Sequence, residues 1–321
     1  MKIIWAKSVK PKIIDKAFYL KNYHVCKCKR KEAKMAKKKI TKNEKEEIIK
    51  CYKTKPMTYQ ELAENFGYSH PTISKILKEY RIKPYNKVQL FSPNLVEDYF
   101  EHVDSEFKAY FLGLIITDGC IFSKGSRQNL VNLTLKDSDC YILEEFKKEV
   151  KSNKKITSDG RGCKSIQISS NKMVKDLKQY GLADNKSCKT IFPKNIPLHL
   201  FPHLIRGIFD GDGSVAFYAR SNRKCHNKAF RFCQGNKKFL LDLIDFLEKH
   251  FNIERVQIFQ EKENLWSIAY RKNTSLLKLY HCMYDEATIY LKRKKELGDK
   301  IVKEIAYYQG NTEITNFCKK N

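Results

Sequence analysis

Two short stretches of the sequence end an apolar run in a carboxylate. LIRGIFDGDGS (204–214) holds Asp210 and Asp212 among its glycines, and FLGLIITDGC (111–120) holds Asp118. An acid at the C-terminal end of a helix meets the negative end of the macrodipole, so two such acids side by side are unfavourable on their own. A hard divalent cation reverses that balance, because it prefers oxygen ligands. The stretches therefore predict a Mg²⁺ site suited to phosphodiester hydrolysis, in which one water is activated and one leaving oxygen is stabilised.

The helices that carry these acids have small residues at four-residue steps. Small residues at i and i+4 fall on one helix face and let two helix backbones come close. We therefore expect the two helices to pack against each other, with Asp118 and Asp212 side by side at their ends. Gly119 and Gly213 are expected to supply the left-handed residue that turns the chain out of each helix. The glycines predicted at this interface are Gly113, Gly119, Gly207, Gly211 and Gly213.

Around these stretches the chain repeats one pattern of predicted elements. Residues 104–200 read as helix, hairpin, helix, hairpin, helix, and residues 201–310 read the same way, with a last helix that begins at Ala287. Prolines in IFPKNIPLHLFPH mark the boundary between the copies. A pattern repeated once at this length predicts an α+β protein in which one chain forms a pseudo-dimer, and hence a monomer.

The two acidic stretches resemble the signature motifs of the LAGLIDADG homing endonucleases, in members that carry both motifs in one chain. The resemblance spans about residues 98–300. It implies a pseudo-twofold pair of αββαββα units whose sheets form a saddle over the major groove of double-stranded DNA. It also implies Mg²⁺ (or Mn²⁺) bound by Asp118 and Asp212, with each centre cutting one strand. The chain departs from the family at Ile116, where the second copy has Asp210, and we expect Asp210 to be structural.

Lys136 and Gln234 are further candidates for catalysis. Alignment of the copies by their second helices pairs these residues at the ends of two predicted strands. Family members often keep a basic or amide side chain near this point, so the resemblance implies a role in stabilising transition-state charge or in holding the water. Ordinary surface residues at strand ends would give the same pattern. Both interpretations stay open.

The predicted strands alternate apolar and polar residues. In NLVNLTLK, Val131 and Leu133 point one way and Asn132 and Thr134 the other, and in LWSIAYR the polar face includes Ser267. The apolar faces can cover the helices, while the polar faces suit base edges and the hairpin turns suit phosphates. The predicted DNA contacts are Asn132, Thr134, Gln167, Arg231 and Arg271 on strands, and Arg127, Arg161, Arg223 and Lys224 in turns.

The whole chain is strongly basic. It has 63 Lys and Arg against 36 Asp and Glu, a formal net charge of +27, and roughly half of that excess lies in the first 55 residues. Such an excess repels itself unless a polyanion relieves it, which favours nucleic-acid binding over a merely Lys-rich surface. The segments outside the predicted folded parts are a basic arm (1–40), a linker (86–103) and a C-terminal tail (311–321).

Residues 41–85 predict a small all-α domain that resembles the helix-turn-helix of DNA invertases and small regulators. Thr58 and Ser69 are placed as helix N-caps, and Gly67 is placed at a turn that favours positive φ. A helical hairpin that only packs is the alternative, but the spacing of the small residues favours a DNA reader. The side chains expected in the major groove are Ser69, His70, Thr72, Ser74 and Lys75.

The cysteines and the hydropathy exclude several other classes. Eleven scattered cysteines do not form a disulfide framework, which predicts a reduced, intracellular setting such as cytoplasm, nucleoid or organelle. His24, Cys26 and Cys28 lack the second ligand pair of a zinc finger. No stretch of the sequence is apolar enough for a membrane helix or a secretory signal, so neither membrane insertion nor secretion is expected.

Three functions remain open from the sequence. The first is a site-specific, Mg²⁺-dependent endonuclease of a mobile intron or intein-type element, which cuts both strands of a long DNA site. The second is a DNA-binding regulator on the same fold without catalysis, and the presence of both acids argues against it. The third is a maturase that binds intron RNA and would need the basic surface but not the acids. The predicted helix-turn-helix favours DNA.

Overall fold

The computed structural model describes residues 40–85, 90, 92–124, 128–184, 189–219 and 226–318. These residues form two four-stranded antiparallel sheets with helices packed on them, preceded in the chain by a small group of helices. The α+β class predicted from the sequence is confirmed.

The first group of helices has a core of its own, built around Ile48, Leu62 and Ile73. Thr58 and Ser69 are the N-caps expected from the sequence, since each side chain accepts a hydrogen bond from a backbone N–H in the following turn. Gly67 ends the second helix with φ of 68°, as predicted. These helices are α1 (Lys42–Thr54), α2 (Tyr59–Phe66) and α3 (His70–Glu79).

Two units of similar element order follow. The first unit consists of α4 (Glu106–Thr117), β1 (Gly119–Lys124), β2 (Gln128–Lys136), α5 (Cys140–Glu149), β3 (Thr157–Ser158), β4 (Cys163–Ser169) and α6 (Asn171–Gln179). The second consists of α7 (Phe201–Asp212), β5 (Gly213–Tyr218), β6 (Asn227–Gln234), α8 (Lys237–Phe251), β7 (Ile258–Lys262), β8 (Leu265–Tyr270), α9 (Asn273–Tyr284) and α10 (Lys292–Cys318).

The two sheets have the same topology and nearly the same register. Their strand orders are β1-β2-β4-β3 and β5-β6-β8-β7. Gly119 opens the first sheet opposite Leu133, and Gly213 opens the second opposite Phe232. Apolar side chains of each sheet, such as Leu133 and Phe232, are buried with α4 and α7 in one core that spans both units. The helices therefore cover one face of each sheet and leave the other for a partner.

The backbone at Gly119 and Gly213 differs from the prediction. Gly213 has φ of −83° and ψ of 163°, and Gly119 is the first residue of β1 without positive φ. The left-handed conformation expected there is wrong, because a strand begins directly after each helix and the chain leaves in an extended conformation. Glycine is needed for space instead. An added Cβ would lie 2.7 Å from Cα of Ile115 at the first position and 2.9 Å from Cα of Phe209 at the second.

The last helix begins later than the sequence predicts, at Lys292 and not at Ala287. Backbone N–H groups of Thr288 and Ile289 donate to Glu106 on α4, and that of Leu291 donates to Asp210 on α7. Because these carboxylates take up N–H groups of the segment, tertiary hydrogen bonds override its local preference for helix.

Candidate active site

The centre of the molecule is the crossing of α4 and α7, where the two helix backbones touch. A Cβ added to Gly113 would lie 2.8 Å from Ile208 N, and one added to Gly207 would lie 3.0 Å from Leu114 N. An added Cβ at Gly211 would overlap a side chain of α4. Larger residues would hold the helices apart, so the small residues allow the predicted crossing.

The two acids predicted as metal ligands lie at the ends of these helices. Asp118 is the C-cap of α4, Asp212 is the last residue of α7, and both are half-buried. A Cβ on Gly211 would lie 3.5 Å from the carboxyl carbon of Asp118, which places this carboxyl beside the residue that precedes Asp212. The charges of both acids also act on Lys294. Both acids therefore lie near the end of α7, where their charges act on one lysine.

Lys294, near the start of α10, was not identified from the sequence. Its side chain is buried, and Nζ lies 2.5 to 3.2 Å from four backbone carbonyl oxygens around the end of α7. Burial lowers the pKa of Lys294 to about 8, although the negative charges of Asp210, Asp118 and Asp212 favour its protonated form. Its ammonium group offsets both the negative end of the α7 macrodipole and the charge of the acids. In the sequence Lys294 is one of several basic residues in KRKK (292–295), which gave no signal of burial.

Asp210 is fully buried, in agreement with the structural role expected from the sequence. Its Oδ2 accepts hydrogen bonds from the Tyr110 hydroxyl on α4 (3.0 Å) and from Leu291 N (2.8 Å). Burial raises the pKa of Asp210 to about 6, while the bond from Leu291 and the charge of Lys294 act in the opposite direction. The corresponding residue of the first unit, Ile116, has no carboxylate, so the two units differ at this point.

A second buried link joins the units at the other end of the helix pair. Arg206 on α7 is 1% exposed, and its Nη2 lies 2.7 Å from Oε1 of Glu106 on α4. The same guanidinium donates to Ile289 O and to Met283 O, at 2.8 Å each, and Nη1 lies 3.0 Å from Nδ1 of His203. A buried arginine paired in this way fixes the relative position of its partners. Breaking one contact would leave a buried charge with neither its partner nor water to stabilise it.

Lys136 and Gln234 do not occupy equivalent places in the two sheets. Lys136 is exposed, whereas Gln234 is buried and its Oε1 accepts a hydrogen bond of 2.7 Å from Gly235 N. Leu133 pairs with Gly119 in the first sheet, and Phe232 pairs with Gly213 in the second. Lys136 lies three positions after Leu133, whereas Gln234 lies two positions after Phe232. Side chains alternate along a strand, so the two point to opposite faces. Their role in catalysis stays a prediction.

The sheet faces turned away from the helices carry the side chains predicted to read DNA. In the first sheet Asn132 Nδ2 donates to Thr134 Oγ1 at 3.0 Å. In the second sheet Arg231 takes the position of Asn132 in the register, and its Nη2 lies 3.3 Å from Glu261 Oε1. These two faces therefore present different donors at matching positions. Exposed side chains are found at the two other predicted strand positions, Gln167 and Arg271.

Three further observations concern the predicted contacts of the second sheet and the turns. Ser267, expected on the open polar face, is 1% exposed and donates to Glu261 Oε1, so the face is more closed there than predicted. Arg161 is exposed in its turn, with Nε 3.8 Å from Asp159 Oδ2. The predicted turn contacts Arg127, Arg223 and Lys224 lie outside the described residues.

Helix α3 is the helix predicted to enter the major groove, and it has both exposed side chains and side chains that make contacts within the protein. His70 and Lys75 are exposed, and Thr72 and Ser74 are half-buried. Ser69 Oγ lies 2.8 Å from Thr72 Oγ1, so these hydroxyls also serve the helix cap. The DNA contacts of α3 stay predictions.

The acids at the helix ends suit Mg²⁺ or Mn²⁺ better than a metal whose ligands must all come from the protein. Asp118 and Asp212 offer hard oxygen donors, and the described residues contain no group of three His, Cys, Asp or Glu that could hold a metal ion. Mg²⁺ is commonly bound by one or two carboxylates together with water and substrate phosphates. A structural Zn²⁺ needs four protein ligands. His24, Cys26 and Cys28 lie outside the described residues.

The remaining expectations from the sequence concern thiols and membranes. Cys51, Cys120, Cys140, Cys163, Cys233 and Cys282 are free thiols. Among the helices of the described ranges, none combines the length and apolarity needed to span a bilayer.

No protein-family model matches the sequence, and no curated protein matches it. Solved structures do match the fold, and they include LAGLIDADG homing endonucleases. The LAGLIDADG meganuclease I-AabMI, bound to uncleaved DNA, is 16% identical with a TM-score of 0.47 over 64% of this chain and 92% of its own. The LAGLIDADG homing endonuclease I-GzeII, in complex with its DNA target, is 15% identical with a TM-score of 0.48 over 68% and 97%.

A third structure, the meganuclease I-SmaMI bound to uncleavable DNA, is 13% identical with a TM-score of 0.48 over 66% of this chain and 92% of its own. These three structures are of the family that the acidic motifs of this chain resemble. Likeness at this level of identity concerns the fold, and the chemistry of this chain depends on its own residues.

Proposed function

We propose that this protein is a site-specific endonuclease that hydrolyses both strands of a long double-stranded DNA site and depends on Mg²⁺ or Mn²⁺. The observation that carries the proposal is that Asp118 and Asp212 stand at the ends of two helices in backbone contact, each directly before the first strand of a sheet. Paired carboxylates at negative helix ends are unfavourable unless a cation is shared between them.

The side chains at the helix ends have distinct roles in this proposal. Asp118 and Asp212 would hold the metal, which when bound activates a water and stabilises the leaving oxygen. Lys294 would lower the repulsion between the two carboxylates, because its buried ammonium offsets part of their charge. Asp210 would serve the structure and not the metal, since it is fully buried and its Oδ2 already accepts from Tyr110 and Leu291. Each acid serves the cleavage of one strand.

DNA binding has support from the charge and from the helices at residues 41–85. A net charge of +27 favours a polyanion, and the open faces of the two sheets carry Asn132 and Arg231 at matching positions. Helices α1–α3 have a separate core, and α3 would enter the major groove beyond the sheets and lengthen the site. We place the protein inside the cell, as a monomer, in the service of a mobile intron or intein-type element.

Cleavage of a plasmid library in Mg²⁺ tests this proposal. The wild-type protein should linearise plasmids that carry its site, whereas Asp118→Asn and Asp212→Asn should lose cleavage and still bind the same site. Asp285→Asn, an exposed acid after α9, is the matched control and should cut like the wild type. Cleavage by both active-site variants would refute the assignment of the acids.

The other two functions give different results in the same assay. A wild-type protein that binds one DNA site and cuts neither strand would be a regulator. Tight binding to structured intron RNA, with weaker binding to any DNA in the library, would indicate a maturase.

A further inference from the structure

The seven residues 288–294, which end the connection after α9 and form the first residues of α10, cross from the second unit onto the first. We call this segment the strap, and it ends in Lys294. At its start, Thr288 N and Oγ1 each donate to the Glu106 carboxylate on α4 at 2.8 Å. In its middle, Leu291 N donates to Asp210 on α7. The strap is therefore attached to both central helices before it delivers Lys294 to the acids.

Tyr141, on α5 of the first unit, holds the strap on both sides of Leu291. Its hydroxyl donates to Tyr290 O at 2.9 Å and accepts from Lys292 N at 2.8 Å. The ammonium group of Lys292 also lies 4.9 Å from the centre of the Tyr141 ring. The Tyr141 hydroxyl thus pairs with a carbonyl oxygen and an N–H group of the strap. The N–H group belongs to Lys292, two residues before Lys294.

A buried acid of the first unit holds the next strap residue. Asp139 follows β2 and is 3% exposed, and its Oδ2 accepts a hydrogen bond of 2.9 Å from Arg293 Nε. Arg293 itself is partly exposed. The side chain that precedes Lys294 is therefore fixed by the first unit as well. The first unit fixes the strap at Lys292 and Arg293, while Lys294 itself contacts the second unit at the end of α7.

We propose that Tyr141 is a positioning residue for the centre at Asp212, and that it acts through the strap on Lys294. The inference depends on the proposed endonuclease function. Loss of the Tyr141 hydroxyl leaves Tyr290 O and Lys292 N without their partner and lets Lys294 move away from the carbonyls around Asp212. The cation that offsets the charge there is then misplaced. Loss of an outer partner of this kind typically slows a metal centre about tenfold to a hundredfold.

The variant Tyr141→Phe removes only this hydroxyl, and Tyr180→Phe is its control. Tyr180 is also a buried tyrosine of the first unit, and its hydroxyl donates to Glu101 O, away from the strap. Arg293→Gln provides a second, partly exposed change to the strap. All three variants should bind the cognate duplex as the wild type does, because none is on the open sheet faces.

Two measurements test the inference. In metal-free protein, hydrogen exchange of backbone amides in residues 288–294 should be faster in Tyr141→Phe and Arg293→Gln than in the wild type and in Tyr180→Phe. In single-turnover cleavage of a duplex with each strand labelled separately, the two strap variants should cut one and the same strand about tenfold more slowly, so that nicked product accumulates. The other strand should be slowed less, because Nζ of Lys294 contacts the carbonyls on both sides of Asp212, whereas only its charge acts on Asp118.

Equal rates on both strands in the two strap variants, whether reduced or unchanged, would overturn the inference, and so would unchanged amide exchange in the strap. A wild-type protein that cuts neither strand would overturn the proposed function, and the inference with it. If the wild-type protein cuts both strands, the proposed function stands, and the strand rates of the strap variants then test the inference alone.

Discussion

Replacement of Gly207 by alanine should separate the two central helices. The new Cβ would lie 2.1 Å from Tyr110 O and 3.0 Å from Leu114 N, while ordinary contacts of a Cβ begin near 3.4 Å. Both neighbours are backbone atoms that cannot rotate away, so α4 and α7 must move apart by about 1.3 Å at this point. Overpacking costs about 1–3 kcal/mol, and rigid neighbours favour the upper end. Alanine regains about 1 kcal/mol of helix propensity, so we expect a net loss of roughly 2 kcal/mol.

Urea unfolding followed by circular dichroism measures this loss, with Gly298→Ala as the matched control. Gly298 also lies inside a helix, but an added Cβ there would meet only side chains, the Tyr280 ring at 3.1 and 3.2 Å and Phe230 Cζ at 3.7 Å. A side chain can give way, so the control should stay within about 1 kcal/mol of the wild type. Gly207→Ala should also lose cleavage of both strands, because the acids at the helix ends no longer meet. Wild-type stability and cleavage in Gly207→Ala would refute the argument that backbone contact at this crossing assembles the site.

Three further predictions follow from buried charge and from the N-terminal part of the chain. Burial and the charge of Arg206 lower the pKa of His203 from 6.5, so below about pH 6.5 the unfolded chain binds a proton that the folded one does not. The free energy of unfolding should therefore fall as the pH drops below about 6.5. Unfolding experiments at about pH 7.5 and 5.5 should show a smaller fall for His203→Gln. Lys294→Met should lower stability by roughly 2–4 kcal/mol in urea, because it removes the donor to several carbonyls and the counter-charge of Asp210, and a loss under about 1 kcal/mol would contradict the described contacts. Deletion of residues 1–85 should weaken DNA binding and flatten its dependence on salt, since fewer phosphates are neutralised, and an unchanged slope in a salt titration would show that this part does not touch DNA.

Much of the fold could be predicted from local patterns. The caps at Thr58 and Ser69, and the alternation around Leu133, are local signals that the structure confirms. The helix crossing could also be predicted, because small residues at four-residue steps have few other uses in two apolar helices. Such patterns lie within about ten residues of chain. They predict the folded structure correctly because packing in the core favours the same local conformations.

The features that the sequence did not predict depend on distant partners. Lys294 is buried because carbonyls around the end of α7 surround it, and those lie more than eighty residues earlier in the chain. The last helix starts late because Glu106 and Asp210 bind N–H groups that a helix would otherwise use. In each case the deciding contact is tertiary, so a window along the chain cannot contain it.

The unequal side chains at matching positions of the two sheets have a consequence for the target of this protein. A dimer of identical subunits presents each side chain twice and so selects an inverted repeat. Here an amide at Asn132 stands where the second sheet has a guanidinium at Arg231, and a substitution in one half leaves the other as it was. The left and right parts of the recognised sequence can therefore diverge separately, and we expect a target without palindromic symmetry.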